Sequence, residues 1–201
     1  MKKSLTYAAL VTAVAAALAA GCTGGSDGTD TANNAGSQPS TSASAEQATH
    51  NQADVTFVQG MIPHHEGAIE MADLTEGRTD NPDILDLAER IKQAQGPEID
   101  QLNGWLDAWG VNNDMPGMDH GDMGHEMPGM GAEDMKKLEQ ANGAEFDRLF
   151  LELMIEHHQG AVDMSETVLD EGSNPEVKEL AQQIIDAQEA EINEMRSLLE
   201  G

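Results

Sequence analysis

One motif occurs twice at a fixed spacing, and no other feature constrains the fold as strongly. Asp54-Val55-Thr56-Phe57 returns 93 residues later as Asp147-Arg148-Leu149-Phe150. The same offset, without a gap, pairs Met61-Ile62-Pro63-His64-His65-Glu66-Gly67-Ala68-Ile69-Glu70-Met71 with Met154-Ile155-Glu156-His157-His158-Gln159-Gly160-Ala161-Val162-Asp163-Met164. It continues through Asn81-Pro82 and Asn174-Pro175, Leu87-Ala88 and Leu180-Ala181, Gln95 and Gln188, and Glu98-Ile99 and Glu191-Ile192. An ungapped match of this length reads as two copies of one unit.

Each unit reads as an αα-hairpin. Phe57, Val58, Met61, Ala68, Ile69 and Ala72 recur at helical spacing, with Asp54 and Asp147 as expected N-caps. The first helix is expected to end near Gly77 in one copy and Gly172 in the other. Asn81-Pro82 and Asn174-Pro175 restart a helix, Asn as cap and Pro at its first position. Ile84, Leu87, Ala88, Ile91, Leu102, Leu106 and Trp109 form the stripe of the second helix. Pro63 and Gly96-Pro97 occur in the first copy only and predict local distortion. Two hairpins that each bury one stripe make an all-α, four-helix bundle. The first repeat spans 54–110, a Met/His-rich loop 111–132 and the second repeat 144–200, with a short helix near 133–141 leading into the second repeat.

The amino-terminal quarter has another character. Lys2 and Lys3 precede an apolar run, Leu5 to Ala20, too short to span a bilayer, so residues 1–21 read as a signal peptide. Leu18-Ala19-Ala20-Gly21-Cys22 resembles the lipobox of bacterial lipoproteins, which makes Cys22 the expected lipidated residue. Without lipidation, the same segment would direct plain secretion. Cys22 is the only cysteine, so no intrachain disulfide can form. Residues 22–50 are small and polar and read as a disordered tether to the outer face of the membrane; the domain follows at 51–201. With 37 acidic against 10 basic side chains, the chain is a poor partner for nucleic acid and a good neighbour for cations.

The repeated motif carries the chemistry. On a helical wheel starting at Met61, His65 falls near about +40°, mid-stripe. His64 falls near about −60° and Met71 near about −80°, at the stripe's edge. Gln95 and Glu98 fall inside the stripe of the second helix, where a carboxylate is costly unless paired. His64 and Gln95 lie about equally far from the hairpin turn, as do Met61 and Glu98, so each pair shares a level. His157, His158, Met154, Met164, Gln188 and Glu191 repeat the pattern. Such a set reads either as a polar network, each buried His bonded to Glu98 or Glu191, or as a metal site with carboxylate as ligand or support. Sequence leaves open whether the halves build one shared site or two.

The loop is a second candidate. Met115, Met118, Met123, Met127 and Met130, with His120 and His125, stand among Gly, Pro and Asp with no period that would bury them. Thioethers are soft ligands that prefer Cu(I), and imidazole accepts both copper states. The mixture favours copper over zinc, iron or magnesium, with another transition metal as the alternative. The neighbouring acidic residues lack EF-hand spacing. No phosphate loop or dinucleotide motif occurs.

Met-Ile-x-His-His-x-Gly-Ala-x-x-Met, twice, with Ala144-Glu145-Phe146-Asp147-Arg148-Leu149-Phe150 before the second copy, resembles the domain-of-unknown-function-305 family over about residues 50–200. The resemblance implies a ferritin-like fold and a secreted or membrane-attached protein, with a link in some members to copper binding and tolerance. It touches Met61, His64, His65, Met71, Met154, His157, His158 and Met164 and implies no catalytic role for them. Di-iron proteins of ferritin-like fold carry Glu-x-x-His. Here Met61 and Met154 hold the position three before His64 and His157, which favours a softer metal. The resulting expectation is an extracytoplasmic, lipid-anchored protein that sequesters Cu(I) or passes it to an envelope copper protein. The rival readings are a ferritin-like metal-dependent oxidase and a non-metal structural or partner-binding lipoprotein.

Overall fold

The computed structural model describes residues 49–112 and 129–200. The signal peptide, Cys22, nearly all of the tether, and Met115, Met118, His120, Met123, His125 and Met127 of the loop lie outside the described residues. Within them the chain is all-helical: α1 (Gln52–Asp73), α2 (Pro82–Trp109), α3 (Ala132–Gln140), α4 (Ala144–Glu171) and α5 (Pro175–Glu200). No described helix is long and apolar enough to cross a membrane.

Helix boundaries follow local chemistry, with two corrections. Asn51, not Asp54, caps α1. Asp54 stands three residues into a capping box: its carboxylate accepts from the Asn51 N–H at 2.8 Å, while the Asn51 side chain accepts from the Asp54 N–H at 3.0 Å. A short acceptor at either position reads alike in sequence, and the reciprocal pair moves the start back one turn. α4 likewise begins before Asp147, with Gly143 as its cap at φ +58°. Asn81 and Asn174 act as expected: their side chains accept from the N–H groups of Asp83, and of Glu176 and Val177. α1 ends at Asp73, a few residues before Gly77, which takes φ +73° in the following turn. α4 ends at Gly172 as expected. Helical spans run through both Pro63 and Pro97.

α1 packs on α2, α4 on α5, and α1 on α4. The apolar core falls into two clusters. One joins the end of α1 (Ala68, Met71, Ala72) to the start of α4 (Phe146, Phe150, Met154) and to Leu138 of α3. The other joins the start of α1 (Phe57, Val58, Met61, Ile62) to the later part of α4 (Ala161, Val168). α1 and α4 therefore run antiparallel. Hydrogen bonds from the Ser173 and Asn174 N–H groups to Asp54 tie the start of α1 to the start of α5. Each large apolar side chain buried in this way contributes roughly 1.5–3 kcal/mol. In sequence, His64 and His65 stand between Ile62 of one cluster and Ala68 of the other, and His157 and His158 stand between Met154 and Ala161. The histidines form a polar layer where the two apolar clusters meet.

Candidate metal centre

Four histidines are buried in this layer. His64 and His157 are 2% and 1% exposed; His65 and His158 are fully buried. The two members of each His-His pair face different neighbours, because successive residues on a helix point about 100° apart.

His65 and His158 face their own hairpins. His65 Nε2 lies 2.7 Å from the Glu98 carboxylate, and His158 Nε2 lies 2.7 Å from that of Glu191. Facing a carboxylate, each Nε2 is the donor. Neither Nδ1 has a hydrogen-bond partner among the described residues. A carboxylate holding one ring nitrogen while the other is left free is the arrangement found behind metal-ligating histidines. The two glutamates are 21% and 15% exposed, so water partly screens both pairs.

His64 and His157 face each other across α1 and α4. Their ring centroids are 3.8 Å apart, with the planes tilted by 43°. The wheel places His64 at the edge of the buried stripe. The packing of α1 on α4 closes over that edge, so the position is as buried as its neighbour. All four ring nitrogens of this pair are buried and without a hydrogen-bond partner among the described residues. A buried, unsatisfied polar atom costs roughly 1–3 kcal/mol, so an arrangement of this kind needs a reason. Burial and the nearby His65 and His158 push His64 down to about 3. Burial, with His64, His158 and His65 beside it, pushes His157 down to about 2. Both rings are therefore neutral at physiological pH, the form that binds metal. Gln95 and Gln188 are also buried, with Oε1 unpartnered among the described residues.

The methionines divide. Met61, Met71 and Met154 are fully buried in the apolar clusters, Met61 in one and Met71 and Met154 in the other. Met164, at the position matched with Met71, lines an open groove of about 360 Å³ with Phe57 and Val168, and none of the four core histidines lines that groove. Met130 is the only loop methionine among the described residues, and it returns to the core. A Cβ built on Gly67 would collide with Met130 Sδ and would stand 3.3 Å from His157 Nε2. Thioether and ring nitrogen thus reach the same point on α1. Gly129, at φ +74°, brings the loop's end against α4: a Cβ there would meet the Leu153 carbonyl oxygen and, at 3.0 Å, the His157 N. Among the described residues, no group of three or more His, Cys, Asp and Glu side chains is arranged to hold a metal. The donors that meet in this layer are the imidazoles, with the Met130 thioether beside His157.

Two features escape the sequence reading. The His64–His157 contact joins the two halves, whereas equal heights in a hairpin relate only α1 to α2. Ser165 is fully buried with an unpartnered hydroxyl, and it stands where the first copy has the equally buried Ala72; only that mismatch marks it.

Known proteins share this helical fold. A crystal structure of a "putative secreted protein DUF305" from Streptomyces coelicolor is 35% identical and superposes with a TM-score of 0.67 over 74% of this chain and 92% of that one. CopM in its Cu(I)-bound form is 30% identical, with a TM-score of 0.60 over 73% of this chain and 95% of that one; Cu(II)-bound and Ag-bound forms of CopM match as well. Uncharacterized protein L153 of Acanthamoeba polyphaga mimivirus is 43% identical over 54 residues, 27% of this chain, which spans 36% of that protein's length. Over residues 54–199 the sequence fits the family described as Domain of unknown function (DUF305), and the chain belongs to that family.

Proposed function

We propose that this chain is an extracytoplasmic copper-binding lipoprotein that sequesters Cu(I) or hands it on. The observation that carries this reading is the His64–His157 pair: two neutral, buried imidazoles in contact, with four nitrogens that no described group satisfies. The carboxylate-backed His65 and His158 support it, since their unpartnered Nδ1 atoms lie in the same layer. CopM, matched at 30% identity, is known in Cu(I)-, Cu(II)- and Ag-bound forms, and that supports copper as the cargo. The amino-terminal segment and the description of the Streptomyces coelicolor relative support a place outside the cytoplasm, with Cys22 as the lipid anchor.

In this reading the four long helices form a duplicated, ferritin-like bundle. The loop methionines capture Cu(I), and the histidine layer holds it in a water-poor site. Thioether and neutral imidazole suit a univalent copper ion.

The test is an anaerobic Cu(I) competition titration of the full chain against a chromophoric chelator. It is repeated on His64→Leu/His157→Leu and on a chain lacking residues 114–130. Binding tighter than roughly micromolar, about −8 kcal/mol, is expected. Loss in the histidine variant places the holding site in the core. Binding no tighter than that threshold would overturn the copper reading.

A further inference from the structure

The two copies of the repeat treat one face of the bundle differently. At the end of α1 and the start of α4, α3 lies on that face. Leu138 is fully buried there, in one cluster with Met71, Phe146, Phe150 and Leu153, and Leu74, Leu149 and Met135 pack against it. Arg78 holds the carboxyl end of α3, its Nε donating to the Glu139 carbonyl at 3.1 Å. A cation at a helix carboxyl end complements the helix dipole.

The 93-residue offset carries this face onto the start of α1 and the end of α4. Phe57 and Met164 match Phe150 and Met71, but Ala53, Thr56, Gly60 and Thr167 stand where the other face has Phe146, Leu149, Leu153 and Leu74. Four large apolar residues thus have small counterparts. What results is the open groove of about 360 Å³, bordered by Phe57, Met164 and Val168 and ending at Glu171. Phe57 and Val168 are 3% and 1% exposed. Met164 reaches across to α1, where a Cβ on Gly60 would stand 2.9 Å from its methyl carbon. Glu171 holds the position matched with Arg78.

We infer that this groove docks a helix of a partner protein, one that inserts large apolar side chains between Phe57, Met164 and Val168 and turns a positive end to Glu171. This is independent of the copper reading. The chain itself shows what such a face accepts, since α3, nine residues long, buries Leu138 on the matched one. A face built only for water would carry charge, as the exposed positions of α4 do at Glu152, Glu156, Asp163 and Glu166. The groove instead has one charged lining residue, Glu171. Its small residues leave room for anchors larger than Leu138, and aromatic or large aliphatic anchors seated in a pocket carry most of the binding energy of an interface.

Charge sets the polarity of the occupant. A carboxylate in the place of Arg78 disfavours a helix carboxyl end and favours an amino end or a Lys or Arg side chain. The chain's net charge of −27 steers the same kind of partner. A second copy brings that same negative charge, and eight lining residues fall short of the roughly 20–30 a side of a stable interface. The tether has no large aliphatic or aromatic side chain between Thr23 and Thr49 to serve as an anchor.

The probe is an alanine-based helical peptide of about 15 residues. It carries Phe and Leu four positions apart, an Arg in its first turn and a free amino terminus. One sister peptide has both anchors replaced by Ala. Another is acetylated, with Glu for Arg. Each is titrated into the full chain at low salt by fluorescence anisotropy, while NMR follows the methionine methyl groups. The first peptide should bind with a Kd below about 100 μM and shift the Met164 methyl. The anchorless peptide should not bind, and the acidic one should bind about fivefold more weakly. Glu171→Arg should reverse the order of the two charged peptides. Ala53→Phe/Thr167→Leu restores the side chains of the matched face and fills the groove. It should weaken binding by about tenfold or more with an unchanged far-ultraviolet circular dichroism spectrum. Thr56→Glu, at an exposed position, is a second block that leaves the core untouched. No binding below that threshold, binding without a Met164 shift, or binding unaffected by both blocks would overturn the inference. So would a charge order that Glu171→Arg leaves unchanged. Sedimentation showing self-association that Ala53→Phe/Thr167→Leu abolishes would make the occupant a second copy. Tighter peptide binding by a chain lacking residues 23–48 would make it the tether. Either result overturns the partner helix.

Discussion

Metal-free protein should lose stability between about pH 7 and about pH 5 because of two residues. His64 is held at about 3 and His157 at about 2 in the folded chain, chiefly by burial. In the unfolded chain both return to about 6.5. Over the intervening range the unfolded state binds two protons that the folded state refuses. Stability then rises with pH, so it is intact above about pH 6.5 and is lost as the pH falls below it. Between pH 7 and pH 5 the folded rings stay neutral, so the unfolded chain alone sets the size of the effect. Each ring contributes about 2 kcal/mol and the pair about 4 kcal/mol, a large share of the roughly 5–15 kcal/mol available to a domain. Asp54 acts in a different window. Its carboxyl is raised by burial, but hydrogen bonds from Asn51, Ser173 and Asn174 outweigh this and leave it below its usual value. Its contribution is lost only as the pH falls through the acidic range beneath that value. The assay is urea unfolding of chelator-treated protein by far-ultraviolet circular dichroism at several pH values, beside His64→Leu/His157→Leu. Subtracting the two curves cancels His50, His65, His158 and the carboxylates, which both proteins share. The variant should also be the more stable at pH 7, since it removes four unsatisfied nitrogens. Curves that stay parallel within about 1 kcal/mol over this range would refute the claim that these rings are buried and neutral.

Two further perturbations test other parts of the frame. Asp54→Ala removes the carboxylate that accepts from the Asn51, Ser173 and Asn174 N–H groups and from the Ser173 hydroxyl, so it should cost about 3 kcal/mol in the same urea assay. A loss under about 1 kcal/mol would show that water replaces those bonds. Glu98→Gln and Glu191→Gln should each cost about 1–3 kcal/mol, by similar amounts, because both His–Glu distances are 2.7 Å. With His65 and His158 as ligands, the same changes should weaken Cu(I) by about 10–100-fold in the competition titration. Unchanged affinity would confine those histidines to a structural role.

Much of this was legible in the sequence, for a definite reason: helical spacing and height within a hairpin are local properties. The stripe of α2, the Asn81-Pro82 and Asn174-Pro175 starts, and a carboxylate facing a buried histidine all follow from the period of one helix and the length of one turn. The N-caps were misplaced by about one turn at α1 because Asn51 and Asp54 are equivalent acceptors on paper. The contact between His64 and His157 depends on how α1 crosses α4, and no local period encodes that crossing. The 93-residue offset names the two residues as equivalent without placing them in contact.

The departures from repetition have the most to say about mechanism. A duplicated unit supplies ligands in matched pairs, and a matched pair presents the same face to either side. The segment between the copies exists once, so whatever it contributes lands on one side only. α3 brings Leu138 into the cluster that buries Met71, while Met164, the matched residue, lines an open groove. Met130 reaches the point beside Gly67 and His157. Its counterpart beside Gly160 would need a second linker, and the sequence has only one. The linker therefore breaks the equivalence of the two histidines. It gives His157 a thioether neighbour, and under the copper-binding proposal that sulfur is a donor at the boundary of the core.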